Sequence, residues 1–338
     1  MRIDAMFSEF RPVVEKVMRE CHVSAVTNFT QLIRDELAAL TPEFHSAAPT
    51  NQQLQQLYEL RARYLDWEIG TGYLGYYSPR PGTRYTFTRR LEVMLPLIQQ
   101  SLPTQNILEI GCGAGLLSLS LAKDAETIVG IDVSESAIAF AKTLQQKLCC
   151  ANVAFEIGDA EHLQFQDQTF ELLLCSEVLE HLIAPELALA EFRRVLKPNG
   201  CVILTTPSAV SLSRGSMRLL RLLNRQIQSE KTIQFDKKAY QAAQRANLPE
   251  TVADDIFLRV HRRFRYAALL RLFHNAGFMV NSVQGAILAF PPHHQIFYRY
   301  CPGKLLPAIR CIEHLANALR VFPRFGAVTT CFRLLPIS

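Results

Sequence analysis

One segment constrains the fold of this chain more than any other: Ile107-Leu108-Glu109-Ile110-Gly111-Cys112-Gly113-Ala114-Gly115-Leu116-Leu117. An apolar run passes through three alternating glycines and directly into residues with helical spacing. Glycine lets the backbone take left-handed dihedrals and come close to a neighbour, and a helix start leaves N–H groups without intrahelical partners. Strand, glycine turn and helix in that order predict the first βα unit of a parallel sheet, with a ligand crevice above the strand end. A tight turn that holds no ligand is the simpler alternative. A dinucleotide fingerprint would need a glycine at position 116, where Leu116 stands. The spacing here is E-x-G-x-G-x-G, with Glu109 on the strand.

The same rhythm continues downstream. Short apolar runs predict strands over 106–110, 127–131, 152–157, 170–175 and 200–205, and helical spacing predicts helices over 114–123, 134–147 and 184–196. Strands separated by helices make a parallel sheet with right-handed crossovers. Asp132, in VGIDVS, and Asp159, in IGDAEHL, end the second and third strands. At that edge an acidic side chain can accept hydrogen bonds from ribose hydroxyls or from an adenine amino group. Asp159 reads equally as a turn or capping residue.

The flanks differ. Residues 1–75 read as helices, in FRPVVEKVMREC, FTQLIRDELAAL and NQQLQQLYELRARYLDW, and TGYLGYYSPRPGTRYTF reads as a joining loop. After residue 206 come a basic helical stretch to about 260, a helix in FRYAALLRLFHNAGF ending at Gly277, and a strand over 279–288. An irregular insert over 289–323 and a last strand, AVTTCFRLL, complete the chain.

Composition enters through charge. Residues 1–204 carry 17 Lys and Arg against 25 Asp and Glu, whereas residues 205–338 carry 19 against 6. A basic half of that size suits an anionic partner (nucleic acid, an anionic membrane or a phosphorylated substrate) or simply an unevenly charged solvated surface. The nine cysteines form no C-x-x-C pair, which suits a reducing compartment. MRIDAMFSEF lacks the apolar core of a signal peptide, and no run reaches the roughly 18 apolar residues of a membrane span. A cytoplasmic protein, or one peripheral to a membrane, is the expectation.

Together the glycine loop and the two acidic strand ends resemble those of the class I S-adenosylmethionine-dependent methyltransferases. The resemblance covers about residues 85–206 well and 260–337 loosely. It implies a Rossmann-like, mostly parallel sheet of seven strands with the last antiparallel. The methyltransferase domain would span 76–338, with inserts near 207–260 and 289–323, behind a helical segment over 1–75. It further implies S-adenosylmethionine as cofactor: Glu109, Gly111, Gly113 and Gly115 at the methionine part, Asp132 at the ribose, Asp159 and Ala160 at the adenine. FELLLCSEVLEHL resembles the ubiquinone-pathway O-methyltransferase branch, which implies a cofactor contact at Ser176. Arg90, in an Arg-Leu about 20 residues before Gly111, matches that branch too. It would grip the cofactor carboxylate, or it is an exposed helix arginine.

Glu177, Glu180 and His181 would share one face if a helix begins there. His181 is then a candidate base. Alternatively the three, with His261, hold a divalent metal that polarises a hydroxyl. That four-residue pattern resembles the small-RNA 2′-O-methyltransferases. In a third reading Glu180 and His181 only fix the loop. The function expected first is methylation of a hydroxyl on a small hydrophobic or lipid-like acceptor. RNA 2′-O-methylation and non-catalytic cofactor binding are the alternatives. The basic segments 212–225 and 296–324 would lie on an anionic membrane or form a lid. Oligomeric state is not legible.

Overall fold

A computed structural model describes residues 10–14, 16–17, 55, 59, 81–208, 264–288, 298, 301–319 and 327–337. In chain order its elements are α1 (Pro81–Gln99), β1 (Thr104–Ile110), α2 (Leu116–Ser120), β2 (Ala125–Asp132), α3 (Glu135–Lys147), β3 (Val153–Ile157) and β4 (Phe170–Ser176). There follow a 3₁₀ turn (Leu179–His181), α4 (Pro185–Val195), β5 (Leu196–Pro207), α5 (Tyr266–Asn275), β6 (Phe278–Leu288), α6 (Leu306–Ala318) and β7 (Ala327–Pro336).

The seven strands form one sheet in the order β3-β2-β1-β4-β5-β7-β6. β1 to β5 are parallel, and β7 runs antiparallel between β5 and β6. The order reverses between β1 and β4, so the chain leaves those two strands in opposite directions and opens a crevice above their ends. Because side chains alternate along a strand, each central strand feeds two cores. Ile107, Leu172, Leu174 and Ile203 pack toward α1 and α3, while Leu108, Ile110, Leu173, Cys175 and Leu204 pack toward α4 and α5. Val14 and Val17 are fully buried in the first of these cores, beside Tyr85 and Leu91.

The expected strands and helices are present, with four differences of extent or type. Residues 81–87 are helix and not loop. Pro81 starts α1, where its missing N–H costs nothing, and Gly82 lies against the backbone of Tyr298, whose oxygen a Cβ there would meet at 1.8 Å. The region expected to be irregular between 289 and 323 contains α6, with Pro307 in its first turn. α2 is only five residues long. No α-helix begins at Glu177. A single 3₁₀ turn stands there, preceded by Glu177 itself at a φ of 58°. The helices expected over most of 1–75, the basic stretch over 209–263 and residue His261 lie outside the described residues.

Candidate active site

The crevice begins at the glycine loop. Gly111, Gly113 and Gly115 all have positive φ, at 65°, 53° and 72°, a conformation that other residues adopt at a cost. At Gly111 a second reason applies: a Cβ would come within 2.3 Å of Val178 Cγ2, so the loop and the segment after β4 touch here. Gly115 meets Phe155 in the same way, at 2.2 Å.

Asp132 locks this loop in place. Its Oδ2 accepts from the Gly113 amide at 2.9 Å and its Oδ1 from the Ser134 amide at 3.0 Å. A carboxylate oxygen can accept more than one hydrogen bond. Asp159 shows the same economy: Oδ1 accepts from the Glu161 amide at 2.9 Å, and Oδ2 lies 3.3 Å from His162 Nδ1. Ala160 beside it is buried.

Glu109 sits behind the loop. Its Oε2 accepts from both the amide and the hydroxyl of Ser118 in α2, so the bonds it shows brace the loop from within. Burial pushes this carboxyl up to about 7; the Ser118 hydrogen bonds oppose the rise and the charge of Asp132 adds to it.

A second cluster is built at the ends of β4 and β5. Ser176 Oγ lies 3.1 Å from Thr205 Oγ1, and the Glu177 amide donates to the Thr205 carbonyl at 3.0 Å. Glu177 Oε2 is 4.0 Å from Arg90 Nη1, which places Arg90 beside the acidic residues. Glu180 is fully buried, accepts from Thr206 Oγ1 at 3.2 Å, and lies 3.9 Å from His181 Nε2. Burial raises both carboxyls; Glu177 raises Glu180 further, while Arg90 and Thr205 pull Glu177 back. Two adjacent carboxyls that both resist ionisation keep a proton between them where isolated ones would not. Glu177 Oε1 and Glu180 Oε1 are buried and make no hydrogen bond among the described residues.

Among the described residues no group of three His, Cys, Asp or Glu is gathered so as to hold a metal ion. The fourth ligand expected from sequence, His261, lies outside them. Glu177 stands before the 3₁₀ turn and not on a shared α-helical face, so the i, i+3, i+4 geometry expected for it does not occur.

Four further residues join the site without having been singled out in the sequence. Thr205 and Thr206 hold Glu177 and Glu180; a polar pair closing the apolar run CVIL was the signal available. Glu59, in the N-terminal segment, accepts from Ser134 Oγ at 2.7 Å and from the Ser136 amide at 3.2 Å. Glu161, buried, accepts from the amides of Ile183 and Ala184 at 2.8 and 2.9 Å and so ties the Asp159 loop to the start of α4. Nothing local in the sequence marks either glutamate.

A sheet in this strand order, with a glycine loop after β1 and acidic residues closing β2 and leading out of β3, is the arrangement the resemblance to the class I S-adenosylmethionine-dependent methyltransferases implies. Residues 102–258 match the family model of a methyltransferase domain. More particularly, the chain is similar to the ubiquinone biosynthesis O-methyltransferases. It is 36% identical over 118 residues to that of Coxiella burnetii, covering 34% of this chain and 49% of that protein. It is 29% identical over 196 residues to the mitochondrial one of Schizosaccharomyces pombe, covering 57% of this chain and 67% of that protein. The chain thus spans about half the length of the Coxiella relative. The solved structure of the 4+2 cyclase SpnF shares the fold, with a TM-score of 0.54 at 19% identity, over 86% of this chain and 98% of that one.

Proposed function

We propose that this protein transfers a methyl group from S-adenosylmethionine to a hydroxyl of a small hydrophobic or lipid-like acceptor. Its similarity to the ubiquinone biosynthesis O-methyltransferases supports that acceptor class. The observation that carries the reading is a carboxyl pair and an imidazole at the end of β4, the strand next to the glycine loop.

In this reading Asp132 binds the ribose, Asp159 and Ala160 the adenine, and the glycine loop, Ser176 and Arg90 the methionine part. The cofactor supplies, when bound, a methyl carbon on a cationic sulfur. The chain's own work is positioning and proton handling. Glu177 and Glu180 hold the acceptor oxygen through their buried Oε1 atoms, the protonated member of the pair donating a hydrogen bond to it. His181 takes the hydroxyl proton, because its ordinary pKa lies near operating pH.

Two measurements test this. Labelled methyl transfer into a total cell extract, partitioned into lipid, RNA and small polar fractions, should mark the lipid fraction. Label in RNA that a chelator abolishes would select the 2′-O reading with a metal at Glu177, Glu180, His181 and His261. Cofactor binding with no label in any fraction would select a non-catalytic protein. Separately, His181→Ala should cut turnover by roughly 100-fold or more while leaving cofactor affinity within a few-fold. The reverse split would refute the role given to His181.

A further inference from the structure

We propose that Glu161 is a positioning residue for methyl transfer: its carboxylate grips the linker that leaves His181 and ties it to the loop after β3. The proposal rests on the reading of His181 as the base. The 3₁₀ turn Leu179–His181 closes with the His181 amide on the Val178 carbonyl at 2.8 Å. Leu182, Ile183 and Ala184 then lead to Pro185, the first residue of α4. Ile183 and Ala184 both donate their amides to the same Glu161 oxygen, Oε1, at 2.8 and 2.9 Å.

These bonds are not those of a helix cap. A cap accepts from the second or third helical residue. In α4 the third residue is Leu187, whose amide already bonds the Ala184 carbonyl at 2.9 Å. Glu161 instead holds two residues that follow the turn and precede the helix, so what it fixes is the exit from His181. Glu161 is 5% exposed, and burying a charge is costly unless polar groups meet it. A loop that needed packing alone would be served by an apolar side chain.

The same residue reaches the cofactor side through its backbone. The Glu161 amide donates to Asp159 Oδ1 at 2.9 Å, and Asp159 is the adenine residue of the proposed function. Two residues further on, the Leu163 amide donates to Glu191 Oε2 and the Leu163 carbonyl accepts from Arg194 Nη2, both at 2.9 Å. The loop after β3 and α4 are thus stapled into one unit, and Glu161 is the member that grips the His181 linker. A misplacement of about 1 Å at the reacting groups can cost roughly 100-fold in rate, so a brace on this linker bears on turnover as well as on the fold.

The test compares two substitutions. Glu161→Met keeps the side-chain length without a carboxylate oxygen, whereas Glu161→Gln keeps Oε1, the atom that both amides use. At saturating S-adenosylmethionine, labelled methyl transfer into the lipid fraction of a total cell extract should fall roughly 10- to 100-fold in Glu161→Met and stay within about threefold of wild type in Glu161→Gln. Calorimetric titration should give both a cofactor Kd within about threefold of wild type, because the bond to Asp159 is made by the backbone and survives. His181→Ala should itself be slow, and adding Glu161→Met to it should cost less than about twofold more, since the two act through one group. Should Glu161→Met fail to fold, Glu161→Asp, whose carboxylate falls one methylene short of the linker, takes its place with the same expected outcomes. A wild-type rate in Glu161→Met, a Glu161→Gln as slow as Glu161→Met, a rate loss matched by lost cofactor affinity, or the full loss again in the double variant would overturn the proposal. A wild-type rate in His181→Ala alone would instead overturn the reading of His181 on which it rests. Hydrogen exchange supplies a readout without turnover: S-adenosylmethionine should slow exchange of the Ile183 and Ala184 amides by at least about threefold in wild type and Glu161→Gln, and not in Glu161→Met. Equal slowing in all three, or none in wild type, would overturn the proposal even where no acceptor in the extract is labelled.

Discussion

Asp132 braces the glycine loop and, in the proposed reading, binds the ribose, and its replacement separates the two roles. Each of its carboxylate oxygens accepts one backbone amide, Gly113 at 2.9 Å and Ser134 at 3.0 Å. Asn is the obvious conservative change, yet here it is not conservative. Whichever way the amide is turned, its NH₂ faces a backbone N–H where an acceptor stood. Asp132→Asn should therefore cost about as much as Asp132→Ala. Hydrogen bonds to a charged group are worth about 1.5–3 kcal/mol each, and less where solvent competes. The site is partly exposed, so we expect about 1–2 kcal/mol of lost folding stability, a few degrees in melting temperature for a chain of this size. Losing the ribose contact should weaken S-adenosylmethionine binding by roughly 10- to 100-fold, or about 1.4–2.7 kcal/mol. Calorimetric titration gives the second quantity and a thermal melt the first. Unchanged cofactor affinity with lowered stability would make Asp132 a loop brace alone and refute the ribose assignment. Full affinity and full stability in Asp132→Asn would refute the hydrogen-bond reasoning itself.

Three more outcomes are expected. Glu109 has its carboxyl raised by burial from 4.5 to about 7, so the stability of its neutral form is complete below pH 4.5 and lost as pH rises through 7. Glu109→Gln, which keeps an acceptor for Ser118, should remove about 3 kcal/mol of that slope; urea melts over this pH range that show the same slope in both proteins would contradict it. Gly111→Ala combines a positive φ with a 2.3 Å approach to Val178 and should destabilise by about 2–4 kcal/mol. Adding Val178→Ala should recover the steric part only, and full recovery or none would show that one of the two causes is missing. Glu59→Ala removes the acceptor for Ser134 and Ser136 beside Asp132, and its expected effect is a several-fold loss of cofactor affinity, roughly 1 kcal/mol, at unchanged turnover under saturating cofactor.

The sequence by itself determined the α/β alternation, the glycine loop and the acidic residues at the ends of β2 and β3. All of these are local: hydrophobic periodicity, the dihedral freedom of glycine and the order of strand and helix act over a few residues, so they are written where they act. It also carried the family resemblance, which is a resemblance of that local pattern. It read residues 81–87 as loop from the glycines and prolines of TGYLGYYSPRPGTRYTF, although Pro81 stands in the first turn of a helix that tertiary packing continues, and it read 289–323 as irregular where α6 forms. Only the tertiary structure decided which side chains meet. Arg90 comes to Glu177, Thr206 to Glu180, and Glu59 to Ser134 across separations of 87, 26 and 75 residues. Helix α6 shows the limit most sharply. Its apolar stripe is legible in the sequence and its burial is not, because periodicity identifies a face without stating which way it turns. Here the bonds of Glu313 to Arg89 and of Asn317 to Gly285 turned the polar side inward and left the leucines outside.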